Sequence, residues 1–363
     1  MRVLYDHQVF SLQDSGGISR YYFELARNLA QLEDCEPHFF LGIEQNVFGP
    51  PDVPGIQTSR LNLPWPWPAS KSRYLANELI SEFAFAFQGA FDVYHPTLYR
   101  EVLTARCAKM VVTHHDCAYE RYPNLFKNVE RIKALRRRQF EKADVIICPS
   151  ESTRRDLHEF YRVSEAKTQV VYHGVSRPNG LAASNKLLIK KPFLLYVGSR
   201  ASYKNFPAFL RAFAMSSVDK DFDLLVCGGQ PPTVTELGIL RELSLTEKVH
   251  FFGQVTESQL GEAYEKAHLL VYPSLYEGFG FPPLEAMLAG CPVLVARSSC
   301  LPEICHDAAM YFDPEQQESF VQSLIASCWD ESERETRIKR GRSLASTYSW
   351  QNCAQQTLTI YRS

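Results

Sequence analysis

The sequence predicts an α/β protein whose two domains, each built on a parallel sheet, face one another across a cleft. Short apolar runs alternate with helix-like stretches along the whole chain, which is typical of parallel strands joined by crossover helices. The pattern stops between residues 174 and 191, where Gly, Pro, Asn and Ser accumulate. At 363 residues the chain also exceeds the size at which one core keeps growing.

The apolar runs and the helical periodicity locate the individual elements. The expected strands are 3–5, 37–41, 93–94, 109–113, 145–148, 170–172, 193–197, 224–227, 249–252, 269–272 and 293–295. The expected helices include 18–32, 128–142, 206–215 and 258–266. Because ligands of such sheets bind at the carboxyl ends of the strands, every loop that follows a strand is a candidate site.

Composition and charge narrow the functional classes. A hydrophobic content of 45% and a net charge of −2 are ordinary for a globular protein and give no general attraction to nucleic acid. The ten cysteines are scattered without a CxxC pair, which favours reduced thiols over disulfides or a metal centre. The N-terminal residues lack the apolar core of a signal peptide, and no apolar run reaches about 18 residues. We therefore expect a cytoplasmic protein that does not span a membrane.

The segment 277–285 (EGFGFPPLE) is the most informative part of the chain. An apolar, strand-like run precedes it, and Pro282 and Pro283 suit the first turn of a helix. The free amides of a helix start attract an anion such as phosphate. The flanking Glu277 and Glu285 would repel a phosphate, so we expect them to accept hydrogen bonds from hydroxyls. Phosphate and polyol together indicate a nucleotide sugar; a capped helix with a solvated glutamate is the simpler alternative.

Two cations follow another expected strand. The loop 198–205 (GSRASYKN) contains Arg200 and Lys204. Arginine offers a planar fork of donors and lysine a compact charge, and the two together suit a diphosphate. Cations that only face solvent are the alternative interpretation.

Two further loops lie in the N-terminal half. Gly16 and Gly17 precede a helix pattern, where glycine lets backbone amides approach a ligand oxygen, although a double glycine is often only a turn. The run 111–116 (VVTHHD) ends a strand, and a histidine there can donate a hydrogen bond or carry a proton. By itself such a string is more often structural. The chain has no GxSxG elbow and no Walker phosphate loop.

Taken in order, the segments SGGISRYYFEL, VVTHHD, YVGSRASYKNF, VHFFGQV and EGFGFPPLEAMLAGCPVL resemble the family-4 group of retaining glycosyltransferases with the GT-B fold. The similarity spans nearly the whole chain, and 348–350 (YSW) resembles the start of the last helix. The segments YKNF and YDHQVF are most similar to those of bacterial mannosyltransferases that extend O-antigen or other surface polysaccharides. The resemblance implies two Rossmann-like domains, 1–175 on the acceptor side and 190–345 for the nucleotide sugar, with a C-terminal helix at 346–363 packing back toward the first.

The resemblance also implies roles for individual residues. Arg200 and Lys204 would hold the diphosphate and offset charge on the departing nucleotide. Glu277 would lie beside the donor sugar, and Glu285 would accept the ribose hydroxyls. The other donor-binding residues implied are Gly16 and Gly17 near the distal phosphate or acceptor, Gln254 and Val255 at the nucleobase, and the amides of Gly278, Phe279 and Gly280.

His115 matches the family histidine that reaches the reaction centre from the N-terminal domain, and it completes a catalytic set with Glu277, Arg200 and Lys204. His114 stands where family members often have an apolar residue, which leaves the register between the two histidines open. Retention of the anomeric configuration without an evident protein nucleophile favours front-face transfer. For the alternative route through a covalent intermediate, Glu277 is the nearby carboxylate. No metal or other cofactor is expected, because the two cations stabilise the leaving group.

The expected partners are a nucleotide sugar and a glycan or lipid-linked acceptor. GDP-mannose is favoured as donor, while UDP-hexoses and deoxysugar nucleotides stay open. Trp65, Trp67, Lys133 and the basic run 136–138 suit an anionic membrane surface at the inner face of the cytoplasmic membrane. A packed aromatic loop and a solvated helix face explain them equally well. A sugar-nucleotide epimerase and a non-catalytic sugar-nucleotide-binding subunit are the rival functions.

Overall fold

The computed structural model describes residues 1–12, 16–43, 54–61, 70–87, 90–99, 106–178, 191–200 and 202–363. It divides into two compact units. Unit 1 contains Met1–Gly174 together with Ser349–Ser363, and unit 2 contains Val175–Tyr348. Each unit is built on one parallel sheet, so the α/β class and the two sheets of parallel strands expected from the sequence are confirmed.

The sheet of unit 1 has seven strands in the order β3-β2-β1-β4-β5-β6-β7. Each recorded neighbour pair is parallel. The strand order reverses between β1 and β4, and ligands of open parallel sheets bind at such a reversal. The strands are β1 (Arg2–Tyr5), β2 (Glu36–Gly42), β3 (Gln57–Arg60), β4 (Phe91–Tyr94), β5 (Cys107–Thr113), β6 (Val145–Cys148) and β7 (Thr168–Val170).

Helices connect these strands, and the last helix of the chain also joins unit 1. Ser150 caps one of them by accepting a hydrogen bond from the backbone amide of Thr153. The helices are α1 (Gln8–Leu12), α2 (Gly17–Leu29), α3 (Ser70–Phe87), α4 (Ala118–Arg121), α5 (Val129–Lys142), α6 (Glu151–Tyr161) and the C-terminal α14 (Trp350–Arg362).

The sheet of unit 2 has six strands in the order β10-β9-β8-β11-β12-β13, again all parallel. Its order reverses between β8 and β11. The strands are β8 (Phe193–Val197), β9 (Asp223–Cys227), β10 (Val249–Gly253), β11 (Leu269–Tyr272), β12 (Val293–Ala296) and β13 (Met310–Phe312). The helices are α7 (Phe206–Met215), α8 (Val234–Glu242), α9 (Glu257–Lys266), α10 (Phe281–Ala289), α11 (Leu301–Cys305), α12 (Gln317–Trp329) and α13 (Glu331–Thr347).

Near-continuous apolar runs form the central strands because both faces of the sheet are covered. All four residues of β11 and all four of β12 are buried. The strand β3 lacks such a run: its sequence QTSR has no apolar residue and no buried residue, as befits the edge of a sheet. Hydrophobic patterning therefore did not predict β3, and it also missed the short edge strand β13.

The C-terminal helix α14 packs against α2 within unit 1. Its first residue, Trp350, lies directly on Gly174, where an added Cβ atom would come within 2.3 Å of the Trp350 backbone nitrogen. Only glycine therefore fits at 174. Seven residues of α14 are buried, which anchors the helix along most of its length.

Candidate active site

The two loops that follow β8 and β11 contain the strongest site candidates in unit 2. The strand order of this sheet reverses between β8 and β11, so their carboxyl ends are where ligands of such sheets bind. Lys204 lies in the loop after β8 and Glu277 in the loop after β11. The fold therefore brings together two residues that are 73 positions apart in the sequence.

Lys204 and Glu277 form an ion pair. The Lys204 Nζ atom donates to the Glu277 Oε1 atom at 2.5 Å, and the side chains are 16% and 12% exposed. Tyr272, at the end of β11, also hydrogen-bonds Glu277; burial and the nearby carboxylate raise the pKa of Tyr272, so its hydroxyl keeps its proton and donates. The pair can meet an anion through Lys204 and hydroxyls through Glu277.

Neighbouring loops hold the backbone around Glu277. The Glu277 amide donates to Ser299 Oγ at 2.9 Å, and Ser298 Oγ donates to the Ser274 carbonyl at 2.7 Å. On the other side, the Leu275 amide donates to the Tyr203 carbonyl at 2.8 Å. The loop after β11 is therefore attached to the loops after both β12 and β8, which fixes the position of the carboxylate.

Gly280 makes the turn from this loop into α10. Its φ of 95° lies in the left-handed region that glycine adopts without strain, and an added Cβ atom would lie 3.0 Å from the Leu301 side chain. Pro282 then occupies the first turn, where a missing amide costs nothing. Gly278, Phe279 and Gly280 are buried beside this helix start, and their binding role stays a prediction.

Glu285 lies inside α10 and is 3% exposed. Tyr264, on α9, donates its hydroxyl to Glu285 Oε2 at 2.9 Å. A carboxylate this deeply buried needs hydrogen-bond donors. The tyrosine supplies one of them and orients the group. The ribose role predicted for Glu285 stays a prediction.

Arg200 is held differently from Lys204. Its Nε atom donates to Glu236 Oε1 at 2.6 Å, and its two terminal nitrogens donate to the carbonyls of Gly228 and Gln230. The side chains of Arg200 and Glu236 are 5% and 10% exposed. Burial would raise the pKa of Glu236, but the Thr233 amide and the Arg200 guanidinium lower it below its usual value. Arg200 thus fixes the loop after β9, and a direct contact with diphosphate stays a prediction.

Gln254 and Val255 follow β10, the outermost strand on this side of the sheet. Gln254 is exposed and Val255 is half-buried against the core. Thr256 caps the next helix, α9, through a reciprocal pair of hydrogen bonds with Gln259. Since β9 lies between β10 and β8, these two residues are one strand removed from the loop that carries Lys204.

In unit 1, Gly16 caps the start of α2 and Gly17 is its first residue. The Gly16 carbonyl accepts hydrogen bonds from the Arg20 amide and the Ser19 hydroxyl. Gly17 is exposed, so its backbone is accessible at the start of a 13-residue helix. Contact with a phosphate or an acceptor stays a prediction.

The structure distinguishes the two adjacent histidines. His114 is 0% exposed and both of its nitrogens have partners: Tyr99 Oη lies 2.7 Å from Nδ1 and Cys117 Sγ lies 3.0 Å from Nε2. His115 is half-buried, and its Nε2 atom is buried without a hydrogen-bond partner among the described residues. Of the two, His115 is therefore the one with a ring nitrogen that no described residue binds. Its catalytic role stays a prediction.

Burial keeps His115 neutral. It lowers the pKa of His115 to about 4, although the nearby Asp116 acts in the opposite direction. Near neutral pH the imidazole therefore carries one proton and no charge. Such a group can donate or accept a hydrogen bond, but it offers no charge to a phosphate.

The basic run on α5 is not a single exposed face. Arg136 is 5% exposed and its Nη1 atom donates to Glu120 at 2.7 Å, whereas Arg137 and Arg138 are exposed. Lys133 pairs with Glu130 one turn away. Trp65 and Trp67 lie outside the described residues.

Within the described residues, no group of three or more His, Cys, Asp or Glu side chains could hold a metal ion. No helix in these ranges is long and apolar enough to cross a bilayer.

Sequence reasoning did not identify the residues that support the site. They include Glu236, which pairs with Arg200, and Tyr264, which donates to Glu285. Ser299 and Tyr272 both contact Glu277. The sequence did carry a signal for Glu236, because Thr233 and Glu236 form the T-x-x-E pattern of a helix capping box.

Two family models match successive parts of the chain. Residues 15–177 match Glycosyltransferase Family 4, and residues 181–344 match Glycosyl transferases group 1. Among solved structures, the sucrose-phosphate synthase of Thermosynechococcus elongatus is 20% identical with a TM-score of 0.77, and 100% of this chain aligns with 98% of that one. HepE of Anabaena, solved in complex with UDP-glucose, is 17% identical with a TM-score of 0.74 over 99% of both chains.

Relatives of similar sequence include two bacterial O-antigen mannosyltransferases. The O-antigen chain mannosyltransferase B of Escherichia coli is 28% identical over an alignment of 285 residues, and the match covers 74% of each protein. The O-antigen chain mannosyltransferase RfbU of Salmonella typhimurium is 27% identical over 213 residues, and the match spans less than two thirds of it, at 59%. The two family matches together cover most of the chain. The chain belongs to the family-4 glycosyltransferases and has their GT-B fold of two Rossmann-like units.

Proposed function

We propose that this glycosyltransferase moves mannose from GDP-mannose, with retention of the anomeric configuration, to a glycan or lipid-linked acceptor in surface polysaccharide synthesis. The names of the two O-antigen mannosyltransferases support the sugar and the class of acceptor. The single observation that carries the proposal is the contact between Lys204 and Glu277 at the strand-order reversal of unit 2. It supplies a cation and a carboxylate at the place where such sheets bind ligands.

Lys204 is the group we assign to the diphosphate. It has three N–H donors, of which one reaches Glu277, so donors are left for a phosphate oxygen. Its low exposure of 16% strengthens its attraction to a charge that develops on the leaving group. Glu277, held by Ser299 and Tyr272, would accept hydrogen bonds from hydroxyls of the donor sugar.

The reaction we propose is a front-face transfer. The bond between the sugar C1 atom and the diphosphate oxygen breaks, and the acceptor oxygen forms its bond to C1 on the same face. The proton of the acceptor hydroxyl passes to the departing diphosphate oxygen, so no protein nucleophile is needed. Lys204 stabilises the negative charge on the leaving nucleoside diphosphate, the role a metal ion has elsewhere.

We assign His115 of unit 1 a role in the transfer step. Its neutral imidazole has a nitrogen, Nε2, for which the described residues provide no partner. An orphaned buried nitrogen costs free energy unless a ligand satisfies it. A sugar hydroxyl would do so without introducing charge.

The proposed acceptor includes a lipid-linked glycan at an anionic membrane surface. Arg137 and Arg138 support this part because both are exposed on α5. Cosedimentation with vesicles of phosphatidylglycerol, compared with phosphatidylcholine, tests it. We expect binding to the anionic vesicles that weakens in Arg137→Glu and in high salt; equal binding to both lipids would contradict it.

Product analysis with a panel of donors tests the central proposal. The protein is incubated with GDP-mannose, UDP-glucose or a deoxysugar nucleotide, with and without mannan oligosaccharides, and release of nucleoside diphosphate is followed. We expect acceptor-dependent release from GDP-mannose, an α-linked product by NMR, and the same rate in excess EDTA.

Each other outcome identifies a different function. Conversion of the donor without any acceptor indicates an epimerase, and tight donor binding without turnover indicates a binding subunit. A β-linked product from the α-linked donor would contradict retention. Loss of activity in EDTA that Mg²⁺ restores would contradict metal independence.

A further inference from the structure

A buried chain of hydrogen bonds connects the C-terminal helix to the end of β5. Tyr361, on α14, has its hydroxyl 2.6 Å from His95 Nδ1. The other ring nitrogen of His95, Nε2, lies 2.8 Å from Thr113 Oγ1. The same Thr113 oxygen lies 3.1 Å from the hydroxyl of Tyr21 on α2. All these residues belong to unit 1.

Every residue in this series of hydrogen bonds is neutral and almost inaccessible to solvent. Tyr361 is 4% exposed and His95 is 0% exposed. Burial, with a smaller contribution from His115, lowers the pKa of His95 to about 3, while burial raises the pKa of Tyr361. A neutral imidazole has one donor and one acceptor nitrogen. His95 can therefore donate a hydrogen bond to one of Tyr361 and Thr113 and accept one from the other. Each group therefore has a partner, as a buried polar network requires.

The series of hydrogen bonds from Tyr361 to Tyr21 ends beside His115. Thr113 is the last residue of β5 and lies two positions before His115. The ring of Tyr21, whose hydroxyl contacts Thr113, meets the His115 ring edge to face at a centroid distance of 5.3 Å. Tyr22 meets the same imidazole at 5.9 Å with an interplanar angle of 80°.

A second contact from α14 reaches the same place. The ring of Trp350 stacks on His173 with an interplanar angle of 18°, and His173 lies 5.9 Å from His115 between ring centroids. Tyr21 packs against His173 at 4.3 Å. The rings that surround His115 are thus attached to both ends of α14.

We propose that Tyr361 is a positioning residue for His115: through His95 and Thr113 it fixes the end of β5 and the Tyr21 ring, and so sets the orientation of the His115 imidazole. The inference rests on the proposed function of His115 in the transfer step. It matters there because the described residues offer His115 Nε2 no hydrogen bond, so packed rings must hold it in place. A small rotation of the ring would move Nε2 away from its ligand.

The substitution Tyr361→Phe tests this, because it keeps the ring and removes only the hydroxyl. We expect kcat to fall about tenfold while the donor KM stays within twofold, since Lys204 and Glu277, which we assign to the diphosphate and the donor sugar, lie in unit 2. Thr359→Val is the matched control: Thr359 is exposed on the same helix and its hydroxyl donates to the Gln355 carbonyl one turn away, so we expect kcat to be unchanged. Equal losses of kcat in the two variants would overturn the proposal.

Thr113 provides a second pair of variants. Thr113→Val removes the hydroxyl that joins His95 to Tyr21, whereas Thr113→Ser keeps it. We expect the serine variant to retain kcat within about threefold and the valine variant to lose as much as Tyr361→Phe. If Thr113→Ser loses as much kcat as Thr113→Val, the network does not position His115.

An NMR measurement separates this inference from the proposed function. In the full-length protein with ¹⁵N-labelled histidine, we expect Tyr361→Phe to shift the His95 and His115 ring resonances and Thr359→Val to leave them unchanged. An unchanged His115 signal in Tyr361→Phe overturns the positioning role even if the enzyme transfers mannose. If the wild-type protein transfers no sugar at all, the proposed function fails, while the NMR result still decides whether Tyr361 orients His115.

Discussion

The strand ends of the two sheets differ in charge although the first six strands of unit 1 and the six strands of unit 2 have the same order. In unit 2, charged side chains meet in pairs at low exposure: Lys204 with Glu277 and Arg200 with Glu236. In unit 1, the two histidines near the end of β5 are neutral, because burial lowers the pKa values of His95 and His115. Tyrosine rings pack against both, and the Asp116–Arg136 ion pair lies beside His115. Charged groups suit an anionic ligand and neutral donors suit hydroxyls. One topology thus supports two kinds of recognition.

Removing the charge of Lys204 should have the largest effect. We expect Lys204→Ala to lose about 2 to 4 kcal/mol of transition-state stabilisation, because no described side chain replaces its ammonium beside Glu277. The measurement is kcat/KM for the donor. Lys339→Ala, which breaks an exposed pair with Glu335 in the same unit, is the control and should stay near wild type. Activity of Lys204→Ala within twofold of wild type would remove Lys204 from the site.

In unit 1, the transfer step should depend on the neutral His115. We expect His115→Ala to reduce transfer about a hundredfold and to leave nucleoside diphosphate affinity intact, because a neutral hydrogen-bonding group acts on the reaction and not on the diphosphate. Steady-state kinetics and calorimetry together measure this. His114→Ala should instead lower thermal stability, since both nitrogens of His114 are bonded. Parallel losses of transfer and nucleotide binding in His115→Ala would contradict the assignment.

The neutral histidines should also make unit 1 sensitive to acid. The pKa of His95 is about 3 in the folded protein and about 6.5 in the unfolded chain, so the unfolded state binds more protons between these values. The contribution of neutral His95 to the free energy of unfolding is complete above pH 6.5. It is lost as the pH falls, by about 2 kcal/mol between pH 7 and pH 5. Denaturant unfolding at several pH values measures it. His95→Gln should flatten the pH dependence; an equally steep dependence in that variant would show that other groups cause it.

The smallest effect is expected for the buried carboxylate of unit 2. Glu285→Gln keeps the shape of the side chain but loses charge-assisted hydrogen bonds, so we expect donor affinity to fall about tenfold with kcat little changed. Tyr264→Phe, which removes the hydroxyl that contacts Glu285, should cause a smaller loss in the same direction. Unchanged nucleotide affinity by calorimetry in Glu285→Gln would show that Glu285 is not the ribose ligand.

The sequence predicts the fold well because buried parallel strands are continuous apolar runs. It also locates the turn from β11 into α10, because Gly280 and Pro282 act locally. It misses β3, whose sequence QTSR is held by its neighbour and not by its own hydrophobicity. Local patterns specify local structure, and an edge strand depends on distant pairing.

The same limit applies to the site. Lys204 and Glu277 could be chosen from sequence because each follows a strand, and parallel strands bring their carboxyl ends to one edge. Their direct contact, and the contact of Arg200 with Glu236, depend on side-chain directions that spacing does not give. The two histidines illustrate this as well, since residue type alone does not show that Tyr99 and Cys117 occupy both nitrogens of His114.

The return of α14 to unit 1 has a consequence for how the protein is made. Unit 2 is continuous from Val175 to Tyr348, whereas unit 1 needs Ser349–Ser363 to complete its core. A ribosome delivers those residues only after all of unit 2 has been synthesised. The first unit to be translated is therefore the last to be completed, and until then the surface that Trp350 and Tyr361 later cover is open to chaperones or to misassembly.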